Sequence, residues 1–102
     1  MKKILALSLI LLLLPLPSFA LDCVGKVTKV MDWPAQCPNG VAYRLNVSNG
    51  KWICSKSKQS DSIILTAVAT DKLVTTRVTS SESTCDVLAT HYIEHEYIIV
   101  EK

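Results

Sequence analysis

Hydrophobic and polar residues alternate along several short segments of this chain, as is typical of half-buried β-strands. The clearest such segment spans Val41 to Val47. Its two faces separate into Val41, Tyr43, Leu45 and Val47 on one side and Ala42, Arg44 and Asn46 on the other. We expect the first set to face the core.

The dipeptide Asn49-Gly50 follows this strand and predicts a tight hairpin, because a type I′ turn needs positive φ at both central positions. The return strand is then Lys51 to Ser55, with Leu45 opposite Cys54. In this register Trp52 and Cys54 face the core. The outer face of the hairpin carries Arg44, Asn46, Lys51 and Ile53.

Other segments predict the remaining elements of one small domain. Val24 to Val30 is rich in β-formers, and Gly25 within it indicates a bulge or a close approach of another backbone. Ser60-Asp61-Ser62 offers helix N-caps, so we expect a helix over Ile63 to Leu73. Two more strands are expected at Val74–Thr79 and Tyr92–Val100, and Asp86–Thr90 fits a short helix or a loop.

The resulting order is three strands, a helix and two strands, which predicts a mainly β domain with one helix. This is the order of the OB-fold, a five-stranded Greek-key barrel (β1-β2-β3-α-β4-β5). Closure of such a barrel protects sheet edges that otherwise invite aggregation.

Four cysteines allow three disulfide pairings, and their spacing alone does not choose among them. The barrel topology brings the chain after strand four back to the start of strand one, which favours Cys23–Cys85. Strand three runs towards the first loop, which favours Cys37–Cys54. A Cys23–Cys37 bridge is disfavoured because a seven-residue strand spans about 23 Å, whereas a disulfide joins Cα atoms about 4.4–6.8 Å apart.

The first 20 residues have the pattern of a secretory signal peptide. Lys2 and Lys3 precede an apolar run from Ile4 to Leu14, and Ser18-Phe19-Ala20 supplies small residues for cleavage. We therefore expect residues 1–20 to be the signal and residues 21–102 to form a single domain. The signal has a bacterial style, so the expected location is the periplasm or the exterior, where disulfides form.

The charge of the chain excludes some classes of partner. Without Lys2 and Lys3, nine basic residues balance nine acidic ones, so the expected domain has no electrostatic footprint for nucleic acid. No second apolar stretch is long enough to insert into a membrane after the signal is cleaved. No cofactor-binding motif is evident.

One segment, His91-Tyr92-Ile93-Glu94-His95, matches the H-x-x-E-H pattern of inverted zinc proteases. That chemistry needs both imidazoles on one helix face and a third ligand downstream, where only seven residues remain. In a strand the two histidines lie about 13 Å apart. We expect no metal, no catalytic residue and no enzyme here, with these side chains on a solvated strand face; a metal-binding or hydrolytic protein is the alternative.

A ligand-binding surface is expected on the outer side of strands two and three, where OB-folds usually hold ligands. The candidates are Trp33, Arg44, Asn46, Lys51 and Ile53. An aromatic ring beside amide and guanidinium groups suits a glycan or a protein surface. The alternatives are an ordinary solvated face and an envelope protein whose contacts are structural.

The arrangement resembles the B subunits of AB5-type bacterial toxins, in particular the subtilase-cytotoxin type. The matching features are Gly25-Lys26-Val27, Trp52-Ile53-Cys54-Ser55, the helix Ile63–Lys72 running into Val74, and Cys85 before the last strand. The resemblance implies glycan binding on a barrel surface and assembly into a homo-oligomer. It assigns no ligand-contacting residue.

We predict that export into an oxidising compartment removes residues 1–20. The small residues at Ser18 and Ala20 fit the cleavage site, so the exported protein begins at Leu21. Intact-mass spectrometry of protein recovered from a bacterial periplasm checks this. A mass that retains Lys2 and Lys3 would contradict it.

Overall fold

The computed structural model describes residues 20–80, 84–87 and 91–101, and the predicted signal peptide lies outside them except for Ala20. Within these residues the protein is mainly β with one α-helix. Its elements are β1 (Ala20–Met31), β2 (Ala42–Leu45), β3 (Ile53–Cys54), α1 (Lys58–Thr70), β4 (Leu73–Thr79), a 3₁₀ helix (Cys85–Val87), β5 (Ile93–Glu94) and β6 (Tyr97–Val100). No helix within the described residues is long and apolar enough to cross a membrane.

The strands form one mixed, six-stranded sheet in the order β5-β3-β2-β1-β4-β6. β3 and β5 are parallel, and every other neighbouring pair is antiparallel. The ladder of hydrogen bonds is open, so the predicted closed barrel of five strands is not confirmed. The expectation of a single last strand over Tyr92–Val100 is wrong, because this segment is divided into β5 and β6.

The division has a local cause at His95 and Glu96. The amide of His95 donates to the carbonyl of Cys54 beside β5, whereas the next amide, that of Glu96, donates to Arg77 in β4. Two consecutive residues thus bond to strands near opposite ends of the ladder. One strand cannot make both sets of bonds without a break at this point.

β1 is long because it serves two ladders. Residues 20–26 pair with β4, and residues 27–31 pair with β2 after a register shift between Val27 and Lys29. Gly25 lies at the change of partner, where a Cβ would collide with the side chain of Asn46. Gly25 was predicted to mark a bulge or a close approach of another backbone; the atoms that crowd it belong to the side chains of Asn46 and Val47, and the register shift lies two residues further on.

The predicted faces are right for the second strand and wrong for the third. Tyr43 and Leu45 are buried in the main core, as expected. Tyr43 pairs with Ile53, so Ile53 also faces that core and is fully buried. Trp52 and Cys54 lie on the opposite side of the sheet, in a second buried cluster with Cys37 and Ala42.

The turn explains this reversal. Asn49 and Gly50 do have the positive φ expected of them, 51° and 76°. However, the connection occupies residues 46–52, and the buried Ser48 hydroxyl accepts from the Leu45 amide and donates to the carbonyls of Leu45 and Lys51. The wider turn changes the register by an odd number of residues, which exchanges the two faces of β3.

The helix begins five residues before its predicted start. Ser57 is the N-cap, and its hydroxyl accepts from the amide of Ser60. The carboxylate of Asp61 is then directed inward, where it accepts from the amide of Val41. Ile64 and Ala67 are buried against the sheet, and the helix ends at Asp71, which has φ 54°.

Both predicted disulfides are confirmed. Cys23–Cys85 ties β1 to the 3₁₀ helix with Cα atoms 5.7 Å apart, and Cys37–Cys54 ties the first loop to β3 with Cα atoms 5.2 Å apart. Two bridges in so short a chain are typical of a protein that folds in an oxidising compartment. They also supplement a core that is necessarily small.

We predict that the two bridges differ in their contribution to stability. They close loops of 62 and 17 residues, so the loop-entropy estimate gives about 4 kcal/mol for Cys23–Cys85 and about 3 kcal/mol for Cys37–Cys54. Urea unfolding of the two double Cys→Ala variants measures both losses. A greater loss from the short-loop pair would show that burial of that pair outweighs chain entropy.

Candidate functional site

An open cleft of about 670 Å³ lies between the start of β1, the turn after β2 and the 3₁₀ helix. Its volume falls within the range of small-ligand pockets, about 300–1,000 Å³. It is lined by Leu21, Asp22, Val24, Asn46, Val47, Asn49, Thr84, Cys85 and Asp86.

Asn46 is held rigidly at the edge of this cleft. The backbone amide of Asn46 donates to the carbonyl of Lys26 at 3.0 Å. The side-chain Oδ1 of Asn46 accepts from the backbone amide of Lys26, also at 3.0 Å. Its Nδ2 makes no hydrogen bond with the described residues. The side chain is therefore oriented by the backbone of β1 and retains a donor for a ligand.

The opposite wall is fixed by two links. The Cys23–Cys85 disulfide anchors the 3₁₀ helix to β1, and Nδ2 of Asn49 donates to the carbonyl of Asp86 at 3.3 Å. The hydroxyl of Thr84 and the carboxylate of Asp86 make no hydrogen bond with the described residues. The cleft thus combines an apolar floor with polar groups of both hydrogen-bonding types.

The five residues of the predicted binding face do not form one site. Asn46 lines the cleft, whereas Ile53 is fully buried and the prediction that it lies on the outer face is wrong. Lys51 is half-buried in the turn. Trp33 is 52 % exposed, and the ammonium of Lys58, not a strand-two residue, lies over its ring at 6.0 Å.

Arg44 does lie on the outer face, with its guanidinium 4.2 Å above the ring of Trp52. Trp52 is in turn stacked on Tyr92, with ring centroids 6.4 Å apart and planes 10° from parallel. The face that was expected to carry Ile53 therefore carries a row of stacked groups.

Most residues of the cleft were missed by sequence reasoning. Leu21 and Asp22 precede the expected first strand, and Thr84 and Asp86 lie in a segment without periodicity. One signal could have found them: the predicted Cys23–Cys85 bridge already brings the start of β1 beside residues 84–86.

A series of buried hydrogen bonds links the side chains of His95, Tyr43 and Thr76. Nδ1 of His95 lies 2.7 Å from the hydroxyl of Tyr43, which lies 3.0 Å from the hydroxyl of Thr76. Nε2 of His95 accepts from the amide of Lys56 at 3.2 Å. Nε2 therefore carries no proton, so Nδ1 is the donor to Tyr43, whose hydroxyl then donates to Thr76.

Burial keeps His95 neutral. Desolvation lowers the pKa of His95 to about 4, against a smaller opposing effect of Glu94. Burial also raises the pKa of Tyr43. A proton added at Nε2 would face the N–H of Lys56, so the network has one stable protonation state at neutral pH.

The H-x-x-E-H segment is not a uniform solvated face. Both ring nitrogens of His95 have protein partners, and Nδ1 of His91 accepts from the amide of Trp52 at 3.2 Å. Oε2 of Glu94 accepts from Nδ2 of Asn39. Among residues 20–80, 84–87 and 91–101, no three His, Cys, Asp or Glu side chains are grouped as metal ligands.

Comparison with known proteins gives no relative. No protein-family description, no curated protein and no solved structure matches this chain.

We predict that His95 makes stability depend on pH. Its folded pKa of about 4 lies below the unfolded value of 6.5, so the unfolded chain binds the extra proton between these values. The contribution of neutral His95 to the free energy of unfolding is fully present above pH 6.5. It falls by about 3 kcal/mol as the pH drops towards 4. Urea unfolding of wild type and His95→Gln across this window measures the difference.

His91→Gln is the matched control, since His91 is exposed and its removal leaves the buried hydrogen bonds intact. Between pH 6.5 and pH 4, the His91→Gln variant should lose as much stability as wild type. If His95→Gln shows the same fall as wild type, the pH dependence comes from other groups.

Proposed function

We propose that this chain is a non-enzymatic binding module, exported to the periplasm or beyond, whose ligand is a glycan held in the cleft. The observation that carries the proposal is the composition of the cleft. Polar groups that have no partner among the described residues share its lining with apolar side chains, and this is the composition by which proteins orient small ligands.

The uncommitted groups suit sugar hydroxyls. A hydroxyl both donates and accepts, so it pairs with the Nδ2 donor of Asn46 and with the carboxylate of Asp86. Leu21, Val24 and Val47 offer apolar surface to the C–H face of a sugar ring. Because Asn46 is already fixed by Lys26, binding does not have to order it.

The scaffold we propose is the OB-fold-like barrel that the element order predicts. β5 and β6 occupy opposite edges of the ladder yet are separated only by His95 and Glu96. A segment this short reaches both edges only if the sheet curls until they are close. In this interpretation β5 and β6, interrupted at His95 and Glu96, together take the place of the fifth strand of the barrel.

A protein surface is the second candidate ligand, and a different observation favours it. The outer side of β1, β4 and β6 exposes Val24, Leu73, Tyr97 and Ile99, which are each between 38 % and 53 % accessible. Val24 and Ile99 are both register partners of Thr75, so the apolar groups adjoin. A homo-oligomer of the toxin B-subunit kind would cover this face.

Glycan-array binding of the exported protein tests the first candidate. We expect Asp86→Asn and Asn46→Asp each to weaken binding of a retained glycan by at least about tenfold, since the first removes the charge and one acceptor oxygen of Asp86 and the second removes the Nδ2 donor of Asn46. Asn46→Asp keeps the oxygen that accepts from Lys26, so the turn is preserved.

Asp32→Asn is the control, because Asp32 is an exposed acid outside the cleft. It should bind like wild type. An array without any retained glycan would overturn the glycan proposal, and sedimentation of Ile99→Lys beside wild type would then examine the apolar face.

A further inference from the structure

The two arginines of the chain occupy matching positions and differ in one respect. Each lies on a strand beside β1, and each guanidinium lies over an aromatic ring on its outward side, Tyr97 in β6 for Arg77 and Trp52 just before β3 for Arg44. One of them has a carboxylate as its neighbour on β1, and the other has a cation.

Arg77 is the arginine whose neighbour on β1 is a carboxylate. It is the register partner of Asp22 on one side and of Tyr97 on the other. Its Nε and Nη2 donate to the two carboxylate oxygens of Asp22 at 2.7 and 2.9 Å, and its Cζ lies 5.2 Å from the Tyr97 ring centroid. Hydrogen bonding by Arg77 lowers the pKa of Asp22.

Arg44 has the same neighbours except for the acid. Its register partner on β1 is Lys29, and the β2–β3 register, continued by one residue, places Trp52 on its other side. Its Nε is buried without a hydrogen-bond partner. Among the described residues the guanidinium makes no ion pair and donates no hydrogen bond.

We propose that the row formed by Lys29, Arg44 and Trp52 is a binding site for a ligand oxyanion, a carboxylate or a phosphate. An oxyanion on this row supplies to the Arg44 guanidinium the acceptor that Asp22 supplies to Arg77. A buried, unpartnered Nε–H is costly unless a ligand or water satisfies it. The planar fork of arginine matches both kinds of oxyanion.

Lys29 is the second element of this site. Like charges directly opposite each other on a sheet are destabilising, so the Lys29–Arg44 pair carries a cost in the free protein. An anion between them removes that repulsion. Lys29 is exposed, and no ion pair joins it to any described residue.

Trp52 makes the site rigid. It stacks on Tyr92 on one side and packs in the cluster of the Cys37–Cys54 disulfide on the other. The ring therefore holds the guanidinium of this half-buried arginine flat against its face. None of these residues lines the cleft, so the oxyanion site stands independently of the proposed glycan function.

The Nε–H signals of the two arginines test this directly by ¹⁵N NMR on the exported wild-type protein. We expect addition of acetate or inorganic phosphate to shift the Arg44 signal saturably, with a Kd in the millimolar range or below. The Arg77 signal, already bonded to Asp22, should not move. Sodium chloride at matched ionic strength controls for screening.

Two variants define the contributions. Lys29→Gln should weaken binding several-fold, and Arg44→Lys should weaken it by at least about tenfold because lysine lacks the planar fork. The cleft variants Asn46→Asp and Asp86→Asn should keep the Arg44 shift, which separates this site from the glycan proposal.

The two anions also identify the source of the ligand group. Preference for acetate indicates a carboxylate, and preference for phosphate indicates a phosphoryl group. The proposal is overturned if neither anion shifts the Arg44 signal, if chloride shifts it equally, or if both arginine signals move together.

Discussion

The structure depends on the buried hydrogen bonds that join His95, Tyr43 and Thr76. They connect β2, β4 and the junction between β5 and β6 through the middle of the core. Each of these three side chains is buried away from water, so each needs its hydrogen-bond partner. Removal of one side chain leaves a polar group of another unsatisfied. The hydrogen bond of His95 also holds the point between β5 and β6 at which the polypeptide passes from one edge of the sheet to the other.

Local patterns predicted most of what local physics controls. Alternation found β2 and its buried face, and the pattern of β-formers found the strand at Val74–Thr79. The two disulfides followed from the predicted order of strands, although the hydrogen-bonded ladder differs from the predicted barrel. In these places the preference of single residues and the tertiary structure agree.

The remaining features depend on contacts that have no local pattern. The faces of β3 were exchanged because Ser48 widens the turn, and a serine in a polar turn gives no sign that its hydroxyl is buried. The helix starts after the Ser57 N-cap, and Asp61, which the sequence offers as a cap, instead accepts from the amide of Val41, which is distant in sequence. His95 attracted attention as part of a metal motif, whereas its role is to satisfy a tyrosine hydroxyl in the core.

The candidate cleft shows how a small domain holds together a surface built from separate segments. Its lining comes from β1, from a turn and from a 3₁₀ helix, none of which is rigid alone. The disulfide at Cys85 and the backbone bonds of Asn46 hold these parts in place. Reduction of the Cys23–Cys85 bridge would therefore disturb the lining of the cleft as well as the fold.

The placement of β5 and β6 has a consequence for the C-terminal end of the chain. A single short segment covers β3 at one margin of the sheet and β4 at the other. A premature stop codon ahead of Ile93 would thus remove both β5 and β6. The edges of β3 and β4 would then be unpaired, and each could pair with a strand of another molecule. Nascent polypeptides released before this segment is synthesised are accordingly the species most prone to aggregate.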